Sequence, residues 1–374
     1  MKFNVSSTTL CSRLQMISRV LSSKNSIAIL DCILFELEDN VLRLTASDSD
    51  TTLVTSVETS DADMNGKFAI NAKTLIDALK EISEQPITFE VNTSSNEIEI
   101  VYQNGIYKLI GQNGAEYPTP TEISESARRL TITADTLFNG ISRTLFATAD
   151  DELRPVMNGV YFDITTESLT FVASDGHKLV RNRNFTIHGE ENAAFILPKK
   201  PALMLKNILP KEEGDVQIMF DERNAEVVMS SYKLSCRLIE GRYPNYNSVI
   251  PSDNPFKVTI DRQALISALR RVSVFASVSN ALIKLRLDTN SLTISAQDID
   301  FSTSAEERII CEYEGAPMNI GFKGTFLLDT LNGISGQDVI LELADPSRAG
   351  VIVPAEQEEG EDLLMLLMPM MLND

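Results

Sequence analysis

The sequence predicts an α+β protein built from three copies of one unit. Two observations carry this. A ten-residue segment occurs three times, as VLRLTASDSD from Val41, SLTFVASDGH from Ser168 and SLTISAQDID from Ser291. In register the three share an alternating apolar strand, an alanine and an aspartate, Asp48, Asp175 and Asp298. The flanking elements also recur in one order around each segment, which a chance match rarely produces.

Upstream of the repeated segment lies a strand followed by an amphipathic helix: FNVSSTTLCSRLQMI, LTITADTLFNGISRTL and VTIDRQALISALRRV. Helical spacing links Leu10, Leu14, Ile17 and Leu21 in the first copy. It links Leu137, Ile141 and Leu145 in the second, and Leu265, Leu269 and Val272 in the third. Ser6 or Ser7, Asp135 and Asp261 are the expected helix caps. A second strand and helix follow. FAINAKTLIDALKEI carries Leu75, Leu79 and Ile82, and IGFKGTFLLDTLNGI carries Leu327, Leu331 and Ile334. The middle version, FILPKKPALMLKNIL, fits less well because Pro201 replaces an apolar residue. Alternating stretches such as ITFEV, VQIMF and VILEL then read as strands. The expected units are 1–127, 128–253 and 254–374, with YPTPTEISES and VIPSDNP as linkers.

A chain of 374 residues is long for one core, and 43% hydrophobic with 23% charged residues is ordinary for a globular protein. The start, MKFNVSSTTL, has no apolar signal region. The longest apolar run, LLMLLMPMML (363–372), is too short to span a bilayer and is interrupted by Pro369, so no membrane partner is expected. Cys11, Cys32, Cys236 and Cys311 form no C-x-x-C pair. They read as core residues in a reduced, cytoplasmic protein with no metal site.

The formal net charge of −20 opposes nucleic-acid binding unless the basic residues share one surface. Segment 1–30 holds Lys2, Arg13, Arg19 and Lys24 and no acid. Arg262, Arg270 and Arg271 lie on the matching helix of copy three; Lys73, Lys80, Lys199, Lys200 and Lys206 lie on second helices. Acids gather in strands and loops, as at Glu97, Glu99, Glu212, Glu213 and 356–362. Helices lining one surface would make it basic; the alternative is a set of solvated helix faces. Repeated units with matching edges can pair head to tail into a ring, which also removes open sheet edges.

An enzyme is the main rival. His177 beside Asp175 suggests an acid–base pair. The matching Asp48 and Asp298 have Ser49–Asp50 and Ile299–Asp300 beside them, so the aspartate reads as a structural feature of the repeat. The chain has no P-loop, G-x-G-x-x-G or G-x-S-x-G motif, and no catalytic residue or cofactor is expected. A scaffold binding only proteins is a second rival.

Six motifs extend the reading: RPVMNGVYF (154–162), ASDGHKLV (173–180), ILPKKP (196–201), LIEGRYPNYNSVIP (238–251), IGFKGTFLLDTLN (320–332) and LMPMML (367–372). With them the whole chain resembles the bacterial sliding-clamp family, the β subunit of the replicative DNA polymerase. The resemblance implies three domains of the DNA-clamp fold, helices inside and sheets outside, closing into a ring as a head-to-tail homodimer. Such a ring encircles duplex DNA without reading its sequence. Polymerase subunits, the clamp loader and other clamp-binding-motif proteins dock by short peptides in a groove between the second and third units.

Residues matching that groove are Met157, Ser174, Gly176, His177, Lys178, Leu179, Pro244, Ser248, Val249, Phe326, Leu366, Leu367, Met368, Pro369, Met370, Met371 and Leu372. Ser248 and Met371 stand where the family often has arginine, and Asn373 and Asp374 extend past the usual end. Lys24 and Lys73 match DNA-contacting positions. Asp151, Pro155 and Val156 occupy a loop where the family often carries glutamine and paired tyrosines. Tyr107 and Leu109, with Val274 and Phe275, match the two sides of the subunit interface.

Overall fold

The structure, a computed structural model, describes residues 1–22, 27–119 and 123–372. Each copy runs strand, helix, three strands, and then repeats that order. Copy one comprises β1 (Lys2–Ser6), α1 (Ser7–Ile17), β2 (Cys32–Glu38), β3 (Val41–Ser47), β4 (Thr51–Glu58), β5 (Gly66–Asn71), α2 (Ala72–Leu79), β6 (Pro86–Asn92), β7 (Glu97–Tyr102) and β8 (Gly105–Ile110), with a short β9 (Gln112–Asn113). Copy two comprises β10 (Arg128–Thr133), α3 (Ala134–Thr144), β11 (Gly159–Ile164), β12 (Leu169–Ser174), β13 (Lys178–Asn184), β14 (Ala193–Pro198), α4 (Lys199–Ile208), β15 (Asp215–Phe220), β16 (Asn224–Val228) and β17 (Tyr232–Arg237). Copy three comprises β18 (Phe256–Asp261), α5 (Arg262–Ser273), β19 (Leu282–Asp288), β20 (Ser291–Asp298), β21 (Thr303–Ile310), β22 (Met318–Lys323), α6 (Gly324–Asn332), β23 (Asp338–Leu343), β24 (Gly350–Pro354) and β25 (Glu361–Leu367).

Local chemistry sets the helix starts. Ser6 accepts from the Thr9 amide at 3.2 Å, and Asp261 accepts from the Ala264 amide at 2.7 Å. In copy two the cap is Thr133, whose hydroxyl accepts from the Thr136 amide at 3.2 Å; Asp135 lies inside the first turn of α3. There its carboxylate suits the positive end of the helix without capping it. Leu21, Ile82 and Ile334 fall beyond the ends of their helices, and Leu145 begins a 3₁₀ turn. Pro201 does not prevent α4, because it sits in the first turn, where its missing N–H has no intrahelical partner to lose.

The repeated aspartates share one job. The Asp48 Oδ1 accepts from the amides of Asp50 and Thr51 at 2.8 and 2.7 Å. Asp175 does so from His177 and Lys178 at 2.8 and 2.9 Å, and Asp298 from Asp300 and Phe301 at 3.0 and 3.2 Å. Each carboxylate closes the turn that reverses the chain after the repeated strand.

Apolar faces fill the cores. Phe3, Phe35, Phe68 and Phe89 are buried from four strands of copy one, with Phe3 and Phe89 stacked at 5.0 Å and Phe35 and Phe68 at 5.0 Å. In copy three Leu265, Leu269, Leu327 and Leu331 pack on Ile283 and Ile294 of the sheet.

The sheets show how copies join. All strand pairs are antiparallel, and each copy contributes two four-stranded sheets. In one, β1-β6-β7-β8 corresponds to β10-β15-β16-β17 and β18-β23-β24-β25; in the other, β5-β2-β3-β4 corresponds to β14-β11-β12-β13 and β22-β19-β20-β21. β4 pairs with β17 (Leu53 opposite Leu234), fusing two of these into a nine-stranded sheet that ends on β9. β13 pairs with β25 (Leu179 opposite Leu366), making an eight-stranded sheet. The contacts accordingly cluster into two compact units, 1–137 with 203–238 and 138–202 with 239–374. Among the described residues, the sheet edges β8 and β21, the remaining counterparts, pair with no other strand on their outer side. Among the described residues no helix is long and apolar enough to cross a membrane.

In the second unit Arg143 of α3 is only 8% exposed and holds the acidic turn before β25. Its guanidinium donates to Glu358, to Glu361 and, at 3.1 Å, to the Ser335 hydroxyl. Removing a buried ion pair's cation strands its carboxylates, a loss of about 3 kcal/mol or more. Arg143→Met is therefore expected to lower the unfolding free energy by that order, seen as a lower urea midpoint. Adding Glu358→Gln and Glu361→Gln should recover much of the loss, and an unchanged midpoint in the single variant would refute the role.

Candidate partner-binding groove

Several of the predicted groove residues meet where β25 leaves the eight-stranded sheet. Leu179 and Leu366 are direct cross-strand partners, as are Lys178 and Leu367. Leu179 and Leu366 are buried with Val172, Ile196, Tyr243, Tyr246 and Ala349 in a small cluster that forms an apolar floor. The ring of Tyr243 stacks on Tyr161 at 4.6 Å, and the Tyr246 hydroxyl donates to Asp163 at 2.7 Å. Burial, reinforced by that anionic acceptor, pushes the Tyr246 phenol up to about 12, so it stays a neutral donor.

Beyond Leu367 the chain keeps its ladder for a few residues. The Met368 amide donates to the His177 carbonyl at 2.8 Å, and the Met370 amide donates to the Gly321 carbonyl at 2.8 Å. A Cβ on Gly321 would lie 2.7 Å from the Met370 carbonyl oxygen, so only glycine admits this crossing. Met368 is 43% exposed and Met371 is 90% exposed. Val249, Pro244 and Ser248 are also exposed, and the Ser248 hydroxyl is spent on the Asn245 carbonyl at 2.7 Å. Exposed flexible thioethers over an apolar floor suit a surface that accepts several apolar side chains. Met157, expected as a wall residue, is buried in the 3₁₀ turn Pro155–Met157.

One electrostatic node holds the loop at the rim. The Lys178 ammonium, in a residue 7% exposed, donates to Asp175 and lies 4.0 Å from the centre of the Phe326 ring. Burial alone would raise the Asp175 pKa. The Lys178 ammonium and two backbone N–H donors outweigh it and hold the carboxyl below its ordinary value. The Ser174 hydroxyl donates to the Lys178 carbonyl at 2.8 Å and accepts from the Gly176 amide at 3.1 Å. Gly176 adopts φ +90°, which few other residues tolerate. The carboxylate of Asp175 is thus committed to its own turn, and the exposed His177 meets it only through the backbone.

Sequence reasoning missed Val172, Tyr243 and Lys323. Tyr243 lies inside a quoted motif but reads there as one more aromatic. Lys323, whose ammonium lies 4.6 Å from the Phe326 ring, also lies inside a quoted motif, where it reads as one more surface charge.

Family models match nearly the whole chain in order: the N-terminal domain of the DNA polymerase III beta subunit over residues 1–121, the central domain over 131–245 and the C-terminal domain over 247–370. The chain belongs to the DNA polymerase III beta subunit family. The beta sliding clamp of Haemophilus influenzae is 28% identical over 98% of this chain and 99% of its own. That of Pseudomonas aeruginosa is 26% identical over the full length of both. Crystal structures of the sliding clamps of P. aeruginosa and Bartonella birtlesii, each bound to griselimycin, superpose with a TM-score of 0.92 at 26% identity over the whole of both chains.

The other sliding-clamp positions are dispersed. Lys24 lies outside the described residues. Lys73 is exposed on α2. The Asp151 carboxylate accepts from Arg154 Nε and the Leu153 amide, both at 2.8 Å, and the Arg154 guanidinium holds its pKa below the usual range. Pro155 is exposed, while Val156 packs against the groove floor. Tyr107 and Leu109 are half-buried on β8; Val274 and Phe275 are exposed where α5 ends. Two arginines of α5 are engaged: Arg271 with Glu307, and Arg262 with the carbonyls of Gly336 and Leu331 at 2.9 and 3.2 Å.

The Asp175–Lys178 pair generates a pH prediction. A depressed folded pKa means that the carboxylate stabilises the fold above its ordinary pKa of about 3.9 and that this is lost as pH falls through the lower folded value. Asp175→Asn keeps the turn acceptor but removes the charge. Its melting temperature is expected to lie below the parent's by a constant margin between pH 8 and 5, with the two curves converging in stronger acid. A margin independent of pH down to the acid limit would refute the assignment.

Proposed function

We propose that two copies of this sliding clamp close head to tail around duplex DNA, and that the ring tethers polymerase subunits, the clamp loader and other motif-bearing proteins through the groove. In this reading the domains are 1–127, 128–253 and 254–374, the groove serves the junction of the second and third, and the clamp is a non-catalytic, cofactor-free cytoplasmic protein that gives processivity. Lys24 and Lys73 act by loose phosphate contact, which holds without reading sequence. Asp151, Pro155 and Val156 occupy the DNA-facing loop, where the tied carboxylate of Asp151 adds no attraction.

The observation that carries the reading is the unpaired third junction. By repeat equivalence β21 stands to β8 as β4 stands to β17 and β13 to β25. Transferring the register of Leu53 opposite Leu234 sets Ala305 of one chain opposite Tyr107 of the next, and Ser304 opposite Lys108. Ile110 at 82% and Ile310 at 87% exposure are apolar side chains that such pairing would cover. Glu306 would lie diagonal to Lys108, within reach of a favourable cross-strand pair. Val274 and Phe275 would flank the same seam.

The register is directly testable, since all four native cysteines are buried. Oxidised Ser304→Cys, Lys108→Cys protein is expected to run as a covalent dimer on denaturing gels. A monomer would refute the register, and a ladder of longer species would mean an open filament. On DNA, the ring should be retained on nicked circles and released when these are linearised. Lys24→Glu with Lys73→Glu should weaken loading severalfold while the dimer mass is unchanged; full loading would remove these lysines from the contact.

A further inference from the structure

We infer that the turn after β20 is an apolar latch that grips a second copy of this chain. The inference rests on the head-to-tail reading of the dimer. The three repeated turns differ in length. Between the residue before each aspartate and its strand partner lie residues 48–51 (Ser47 to Thr52) and 175–178 (Ser174 to Leu179), four in each case. In copy three, residues 298–303 lie between Gln297 and Ser304, two more. The longer turn keeps its anchor, since the Asp298 carboxylate holds the amides of Asp300 and Phe301. Ser302 then takes the left-handed conformation, at φ +54°, to bring the chain back. The turn holds Ile299 and Phe301 out to solvent, 80% and 77% exposed. At its tip the shorter turns carry Ser49 with Asp50 and Gly176 with His177. A lone exposed apolar side chain is ordinary; two on one anchored turn, beside an open strand edge, point to a covering partner.

The chain's own junctions show what such a turn meets. The Asp50 carbonyl accepts from the Arg237 amide at 2.8 Å, and the His177 carbonyl accepts from the Met368 amide at 2.8 Å. Each time the turn receives the neighbouring strand as that strand ends. Carried to the open edge in the same register, the receiving residue is Ser302 and the arriving one is Ile110 of the next chain. Ile110 ends β8 as an exposed apolar side chain, where the first junction has an arginine and the second a methionine. A head-to-tail contact joins two different patches of one chain, and here the latch and Ile110 are those patches. Ile299 and Phe301 stand on either side of the tip and close over Ile110. Salt screens charge pairs but not apolar burial, so the latch keeps its grip at ionic strengths that weaken a Glu306–Lys108 pair.

The test is the dimer dissociation constant, measured by fluorescence-detected sedimentation in about 0.1 M and about 1 M sodium chloride, which span strong and weak charge interactions. It is run on the full wild-type chain, on Ile299→Ser with Phe301→Ser, and on the conservative Phe301→Leu. The double variant is expected to dissociate about a hundredfold more readily, roughly tenfold for each of the two seams of a closed ring, and to do so at both salt concentrations. Its far-ultraviolet circular dichroism should match the wild type, because the turn is held through backbone amides and not through these side chains. Phe301→Leu should stay within about threefold of the wild type, since it keeps most of the apolar area. A double variant that dimerises as the wild type does, or whose deficit disappears in high salt, overturns the latch and leaves the head-to-tail reading standing. A wild-type chain that stays monomeric overturns that reading and the latch with it.

Discussion

Antiparallel pairing of strand edges between copies is the constraint on which the rest of the structure depends. A four-stranded sheet exposes two rows of unmet N–H and C=O groups, and each copy brings two such sheets. The chain spends one edge of copy one on copy two and one edge of copy two on copy three. Everything near the groove follows from the second of these joins. Leu179 faces Leu366 because β13 and β25 are neighbours, and the terminal methionines lie beside the His177 turn because β25 runs on past Leu367.

The same device explains why three equivalent turns are not three equivalent sites. Asp48, Asp175 and Asp298 each accept two amides in the same geometry. In the middle copy the second carboxylate oxygen also receives an ammonium, because the third residue after that aspartate is a lysine. That lysine is covered by Phe326 from copy three, so the turn and the helix α6 are locked to one another. A repeated structural aspartate thereby becomes the anchor of a specialised rim, without any change in its backbone role.

Much of this was legible in the sequence. The threefold segment, the helix periodicities and the order of elements are encoded by local alternation and by turn chemistry, which act within about ten residues. The departures come where competing local options are close in energy. Thr133 takes the cap in preference to Asp135, since the hydroxyl already stands one residue before the helix. Ile82 and Ile334 continue an apolar period past the end of their helices because burial, not helix length, fixes that period. Which edges join, and hence that Lys178 comes to Phe326, depends on pairing across a hundred residues or more, and no local pattern carries it.

A chain at −20 is poorly suited to hold DNA by affinity, and the basic side chains are further reduced by internal use: Arg143, Arg262 and Arg271 all serve the fold. Under the clamp reading this is consistent, not contradictory. A ring held by topology needs only that DNA not be expelled, and strong phosphate contacts would act as friction on sliding. Acidity elsewhere then has a use, since it discourages the outer surface from binding nucleic acid and leaves the few uncompensated cations to act over short range.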